Sequence, residues 1–290
     1  MNKIVLGLPK GSLEKATIGM MSKAGFNISG GSRTYAPRVD DPLVEARLIR
    51  AQEISRYVEL GVLDAGITGH DWIVENNSDV DEIAELVYSK QEFRPVRWVL
   101  AVPNDSPVKS VGDIQDKRIA TEAVGLTRAF LEKEGVEASV EFSWGATEAK
   151  APELVDAIVD VTETGSSLRA NNLRIVATVL ESTTRLIACK ESMQDPGKKA
   201  KIEQISILLK GALGAENTVL LKMNARKNAL ENITGMLPSL HAPTINMLSA
   251  DEWVAIETVV LESEVSELIP KLKKAGAKVI IELPLNKVIA

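Results

Sequence analysis

Hydrophobic and polar positions alternate with two different periods along this chain. Ile4–Leu8 reads as a short buried strand. A polar turn at Pro9-Lys10-Gly11-Ser12 follows, then helical spacing from Leu13 to Ala24, with Ser12 as N-cap and Glu14 in the first turn. Ile49, Ile54, Tyr57, Val58 and Leu60 predict helix-rich structure over residues 41–60. Leu63–Ile67 predicts a strand, closed by Thr68-Gly69-His70-Asp71 and followed by a helix from Trp72. Trp98–Val102 predicts another, leading into Pro103-Asn-Asp-Ser-Pro107 as a crossover between domains.

The alternation continues. Arg118–Glu122 opens a strand–helix unit whose helix stops at Gly135. Ser139–Phe142 predicts a strand, and Gly145-Ala-Thr147-Glu148 leads into a helix ending before Asp156. Residues 174–180 and 184–190 predict strands, and 195–213 an amphipathic helix with Ile202, Ile205, Leu208 and Leu209 on one face. Such alternation predicts a parallel α/β sheet, with ligands at the carboxyl ends of its strands. Lys10, Asp71, Glu148 and Thr164 all follow strands and are expected to face one cleft. Gly211–Ala215 marks a boundary, beyond which the order becomes β-α-β-β-α-β, a ferredoxin-like unit.

One segment carries the sharpest chemistry. Asp156–Val161 is a β-branched, buried-strand run; Thr162-Glu163-Thr164-Gly165-Ser166-Ser167 is a small hydroxylic turn; Leu168 onward reads as a helix. Free N–H groups at a helix start attract an anion, Gly165 permits close approach, and the hydroxyls add donors. Asp160, at the strand's carboxyl end, is within reach of a sugar hydroxyl or a metal. The same pattern also fits an ordinary capped junction between strand and helix.

Composition narrows the classes. The chain has 290 residues, 45% apolar and 26% charged, which suits a globular protein of two or three domains. A net charge of −6 argues against nucleic-acid coating. The single cysteine, Cys189, lies in an apolar run and reads as a buried thiol; two histidines exclude a histidine-rich metal site. No apolar leader or spanning segment is evident, so a cytoplasmic location without membrane contact is expected.

Six ordered segments together resemble the long form of the ATP phosphoribosyltransferase family, the first enzyme of histidine biosynthesis. They are Leu8–Leu13, Leu48-Ile-Arg50 through Asp71, Arg118–Glu122, Gly145–Glu148, Asp156–Leu168, and Pro238-Ser-Leu240-His-Ala-Pro243-Thr244-Ile245. The resemblance implies two catalytic domains of the type II periplasmic-binding-protein-like kind, with substrates between them, and an ACT-like third domain that binds histidine. The domains expected are 1–102 plus 184–213, 103–183, and 215–290. The implied reaction moves phosphoribosyl from phosphoribosyl diphosphate to adenine N1 of ATP, with Mg²⁺ on the substrate diphosphate rather than in a protein cage. The resemblance also implies a homo-oligomer between dimer and hexamer, with no separate regulatory subunit.

Site roles follow from the same resemblance. Asp160, Lys10 and Glu148 are the catalytic candidates. Thr162, Glu163, Thr164, Gly165, Ser166 and Ser167 would hold phosphoribosyl diphosphate; Gly11, Arg50 and Asp71 would meet ATP. Leu240, Ala242, Pro243 and Thr244 would meet histidine. Plainer roles compete: a solvated lysine, a surface arginine, helix caps at Asp71 and Glu148, and packing for all four tryptophans, Trp144 included. Two other functions share the pattern. A solute-binding protein would normally carry a secretion signal, and another ACT-regulated enzyme would not require the phosphate loop.

Overall fold

The computed structural model describes residues 2–30, 34–88, 95–151, 153–238 and 242–289. The chain forms two compact units, Met1–Ser206 and Ile207–Ala290.

The first unit holds two five-stranded sheets. Its opening elements are β1 (Ile4–Lys10), α1 (Glu14–Ala24), the short ribbon of β2 (Ile28–Ser29) and β3 (Arg38–Val39), β4 (Val44–Arg50), α2 (Ala51–Glu59), β5 (Ala65–Gly69), α3 (His70–Asn76) and β6 (Asp81–Leu86). There follow β7 (Val96–Pro103), β8 (Arg118–Thr121), α4 (Val124–Glu134), β9 (Ser139–Phe142), β10 (Ala157–Thr162), α5 (Ser166–Ala170), β11 (Leu173–Ser182) and β12 (Thr184–Ala188). Helix α6 (Pro196–Gly214) runs across the boundary between the units.

The first sheet has the order β4-β1-β5-β12-β6 and the second β11-β7-β10-β8-β9. Neither is purely parallel as expected. In the first, β12 runs against β5 and β6; in the second, β7 runs against β10 and β11. These are the strands on which the chain enters the second sheet and re-enters the first. Strand β7 thus lies wholly in the second sheet, so the crossover comes before Val96 and not at Pro103–Pro107. Trp98–Val102 is buried throughout, and an all-apolar strand carries no mark of which sheet it joins.

Other expectations also change. Residues 41–60 are half strand: Val44, Ala46 and Leu48 are buried at alternate positions, the period of β4, before α2 begins. Ser12 does not cap α1, which starts at Glu14 after an uncapped Leu13. The helix expected after Glu148 is one 3₁₀ turn, Thr147–Ala149.

Apolar layers fix both sheets. Trp98, Leu100, Val102 and Val159 pack with Leu126 and Leu131 of α4; Ile54 and Val58 of α2 pack with Leu63, Ile73 and Ile187. A Cβ on Gly66 would come within 2.4 Å of Ile54, so this glycine lets α2 lie directly on β5. The buried Asp64 carboxylate pins the start of α6 to the sheet. It accepts from the Val5 N–H at 2.7 Å, and from the Ser192 hydroxyl and Lys198 Nζ, both at 2.6 Å. That carboxylate holds the Lys198 ammonium above its ordinary range.

The second unit contains β13 (Thr218–Arg226), α7 (Leu230–Thr234), β14 (Thr244–Met247), β15 (Trp253–Leu261), α8 (Glu262–Lys274) and β16 (Lys278–Pro284). Its antiparallel order, β14-β15-β13-β16, is that of a ferredoxin-like sheet. Leu221, Met223, Ile256 and Val260 line its inner face against Leu268 and Leu272 of α8. The helix expected over 226–237 is shorter, a 3₁₀ turn at Lys227–Ala229 followed by α7. Two mixed sheets plus this antiparallel module make up the α/β body and appended ferredoxin-like domain that the sequence led us to expect. Among the described residues, no helix is long and apolar enough to cross a membrane.

Candidate functional site

Two adjacent strand ends supply the cations. Lys10 closes β1 and Arg50 closes β4, and they are register partners across the parallel pair. The mispredicted helix matters here: Arg50 is not on a helix surface but at the strand end, where α2 begins. The Lys10 ammonium lies 4.6 Å over the Tyr35 ring. Gly11 follows at φ +111°, a backbone conformation that glycine adopts without strain.

Across a cleft of about 460 Å³ lies the loop after β10. Lys10, Arg50 and Asp71 line the cleft from the first sheet, and Thr162, Glu163, Thr164, Ser166 and Ser167 from the second. A second hollow, of about 890 Å³, adjoins Lys10, Gly11 and Arg50, with Tyr35, Arg47 and Tyr57 around it.

The loop is internally braced. The Gly165 N–H donates to Thr162 Oγ1 at 2.7 Å, and Gly165 itself sits at φ +72°. The Thr164 hydroxyl donates to Ser166 Oγ at 3.0 Å, and the Arg169 guanidinium to the Thr164 carbonyl at 3.0 Å. Helix α5 has five residues, so its dipole is small, and anion affinity would rest on the N–H groups of its first turn and the hydroxyls. The Glu163 Oε2 is buried without a hydrogen-bond partner among the described residues. An orphaned carboxylate oxygen in a cleft is an acceptor waiting for a hydroxyl.

Asp160 and Glu148 do not themselves line the cleft; Asp160 lies on β10 two residues before the loop, and Glu148 bonds to it. The Ser167 hydroxyl donates to Glu148 Oε1 at 2.6 Å. Burial pushes the Asp160 carboxyl up to about 6, and the nearby Glu148 and Glu122 carboxylates add to that rise. The Val161 N–H donates to Asp160 Oδ1 at 2.8 Å and partly opposes it.

Asp71 is buried, and its carboxylate is already engaged: Trp98 Nε1–H donates to it at 2.7 Å and the Trp72 N–H at 3.1 Å. Trp144 is 93% exposed and stacks edge-on with Phe142 at 4.8 Å, so its expected packing role is wrong. Trp72 and Trp98 do pack, edge to face at 5.7 Å. In the second unit, Ala242 and Thr244 are exposed and Pro243 is half-buried, at the edge strand β14; Leu240 lies outside the described residues.

Several cleft residues escaped the sequence reading. Glu122 follows β8 just as Asp71 follows β5, and the strand-end rule could have found it. Its carboxylate accepts from Gln52 Nε2 at 3.1 Å. Ser182-Thr183-Thr184, a polar break between two strands, also lines the cleft. Nothing local marked Tyr35, which borders the second hollow.

Comparison with known proteins places the chain among a known family. A family model described as HisG, ATP phosphoribosyltransferase, matches residues 50–211, and one described as the HisG C-terminal domain matches residues 215–287. The ATP phosphoribosyltransferase of Chlorobium phaeovibrioides is 60% identical over 284 residues, covering 98% of this chain and 97% of its own. That of Thermodesulfovibrio yellowstonii is 55% identical over 284 residues, with 98% and 97% covered. Among solved structures, a chain of the ATP phosphoribosyl transferase (HisG:HisZ) complex from Thermotoga maritima superposes with a TM-score of 0.60 at 24% identity. It covers 71% of this chain and 98% of that one, a likeness of fold.

Proposed function

The chain belongs to the ATP phosphoribosyltransferase family, and from that premise we propose that phosphoribosyl diphosphate sits on the Thr162–Ser167 loop and ATP on the Lys10–Arg50 side of the cleft. The reaction is the first step of histidine biosynthesis. Adenine N1 forms a bond to the anomeric carbon while the bond to diphosphate breaks on the opposite face. The observation that carries the proposal is the buried Glu163 carboxylate oxygen, without a partner among the described residues and set in a hydroxyl-rich loop opposite two cations. A ribose hydroxyl would satisfy that oxygen, and the 5-phosphate would take the loop's N–H and hydroxyl donors.

Each remaining residue has a proposed task. Lys10, Gly11 and Arg50 receive the polyphosphate of ATP or the departing diphosphate. Asp160 stabilises positive charge that develops on the ribose ring, a transition-state feature of glycosyl transfer. Glu148 fixes the Ser167 hydroxyl and thereby the loop. Such a transfer needs two anions held in line more than it needs a covalent intermediate.

Magnesium fits as an ion carried by the substrate. Among the described residues, no group of three or more histidine, cysteine, aspartate or glutamate side chains could hold a metal. Diphosphate oxygens and water would coordinate it, and the Asp160, Glu148 and Glu122 carboxylates would balance its charge nearby. When bound, it neutralises charge building on the leaving diphosphate.

The C-terminal unit brings histidine feedback. We assign the histidine contacts to Leu240, Ala242, Pro243 and Thr244, and expect a homo-oligomer, from dimer to hexamer, that needs no separate regulatory subunit. Histidine can shift that assembly only by binding one state better than another.

The test is direct. Purified protein, ATP, Mg²⁺ and phosphoribosyl diphosphate should yield the ultraviolet change of an N1-substituted adenine, and EDTA should abolish it. Protein that binds neither substrate refutes the reading. Sedimentation with and without histidine, beside an activity titration, tests the feedback assignment.

A further inference from the structure

Asp71 lines the cleft, yet its carboxylate is taken up by donors of the protein itself. Its element, α3, follows β5 of the first sheet. Its Oδ2 accepts from the indole N–H of Trp98, on β7 of the second sheet, at 2.7 Å. Its own N–H donates to the hydroxyl of Ser182, the last residue of β11, at 3.0 Å. Asp71, Trp98 and Ser182 are all buried, 5%, 1% and 2% exposed respectively. The neighbouring His70 N–H donates to the Thr183 carbonyl at 2.9 Å, where the chain passes back to the first sheet.

The chain is packed closely on one side of this carboxylate. A Cβ on Gly69 would come within 2.0 Å of Asp71 Oδ1. Burial pushes the Asp71 carboxyl up from its ordinary range, and the indole and Ser182 contacts work against that rise. A buried carboxylate is kept only where fixed donors hold it. A second link lies alongside, since Glu75 Oε2 of α3 accepts from the Leu126 N–H of α4 at 2.8 Å.

We propose that Asp71 is a positioning residue: it clamps α3 to β7 and β11, and so sets the spacing between the Lys10–Arg50 edge and the Thr162–Ser167 loop. The inference rests on the reading of this cleft as the transferase site. In-line transfer between two bound anions is sensitive to that spacing; a misplacement of about 1 Å can cost about 100-fold in rate. Substrates bound to separate sheets would still bind when the clamp is cut, but would meet less often in reactive geometry.

A kinetic cycle over Asp71→Ala, Trp98→Phe and the double variant tests this in the intact protein. Each single change should lower kcat about 10- to 100-fold, with each KM within about 3-fold, and the double should be no worse than the poorer single. Asp71→Asn, which keeps an acceptor for the indole, should recover part of the loss. In ¹⁵N-labelled protein, the Trp98 indole resonance, identified by its absence in Trp98→Phe, should move in Asp71→Asn. Multiplying losses in the double variant overturn the proposal. So does a raised KM for ATP in Asp71→Asn with unchanged kinetics in Trp98→Phe, which would make Asp71 an ATP ligand. Should the Asp71 variants not fold, Ser182→Ala removes only a hydroxyl; it should lower kcat and spare KM, and an unchanged kcat there also overturns the clamp. An inactive wild type would instead overturn the transferase reading.

Discussion

The two units bury different things. The C-terminal unit packs Leu221, Met223, Ile256, Val260, Leu268 and Leu272 into its core, and Thr258 is its only buried polar residue among those described. The first unit buries Asp64, Asp71, Ser182, Thr162 and other polar residues beside its apolar layers. A buried polar group stabilises only when its partners are in place. The C-terminal fold is therefore held by apolar packing against one sheet face. The first unit additionally fixes geometry, because Asp64, Asp71 and Ser182 each tie one element to another. Chemistry is found where polar groups are buried under constraint, and regulation is left to a module that any well-packed sheet can supply.

The difference can be broken most forcefully in the C-terminal core. Leu221 is fully buried on β13, between Met223 and Val219 along the inner face. Leu221→Ala should destabilise the C-terminal transition by about 2–5 kcal/mol through lost burial and the cavity left behind. Denaturant unfolding followed by C-terminal probes reads this. A loss below about 1 kcal/mol would mean that the core is not what holds this unit.

The first unit should respond in turnover instead. Asp160→Asn keeps shape and removes charge, so kcat should fall about 100-fold, or about 2.7 kcal/mol, while substrate binding changes little. Equal and small effects on both would reduce Asp160 to a strand end.

Asp160 also sharpens the comparison through pH. Its carboxyl is raised from 3.8 to about 6 in the folded chain. Between those values the folded state holds a proton that the unfolded chain has released. The contribution of Asp160 to the stability of the ligand-free protein should thus fall as pH rises from 3.8 to 6, and the difference in stability between wild type and Asp160→Asn should change by that slope. For turnover the sign reverses: if the ionised carboxylate acts, kcat/KM rises through a pKa near 6 in the free enzyme and is flatter in Asp160→Asn. A wild-type profile flat from pH 5 to 7 would remove this group from catalysis.

What the sequence made legible follows the same division. β1, β10, α4 and the β14–β15–β13–β16 module were readable because their apolar period and turn residues agree with their final surroundings. The turn at Thr162–Ser167 was readable because its small, hydroxylic residues and Gly165 mark the junction between β10 and α5. The helix expected over 41–60 failed because Ile49, Ile54, Tyr57 and Val58 straddle a strand–helix junction, and the alternation of Val44, Ala46 and Leu48 was outvoted. Sheet membership of β7 was illegible, since burial on both faces erases the period. Asp71 was seen as a strand-end acid, but its bond to Trp98, 27 residues away, is a tertiary fact that no local pattern carries.

Trp144 supplies the smallest expected effect and the sharpest contrast with Leu221. A tryptophan is the residue one would most readily assign to packing, yet this one is 93% exposed, touching Phe142, itself 47% exposed. Exposure keeps most of its apolar area in water, so its removal forfeits little transfer free energy. The edge-on contact with Phe142 is solvated, and surface changes of this kind stay within about 0.5 kcal/mol. Trp144→Ala should accordingly leave the unfolding midpoint almost unchanged. It should also strip the red-shifted part of the tryptophan emission, because Trp98 is buried and Trp72 and Trp253 are half-buried. A loss above about 1 kcal/mol would show that the indole is covered in the native assembly, and the aromatic pair would then belong with the packed residues.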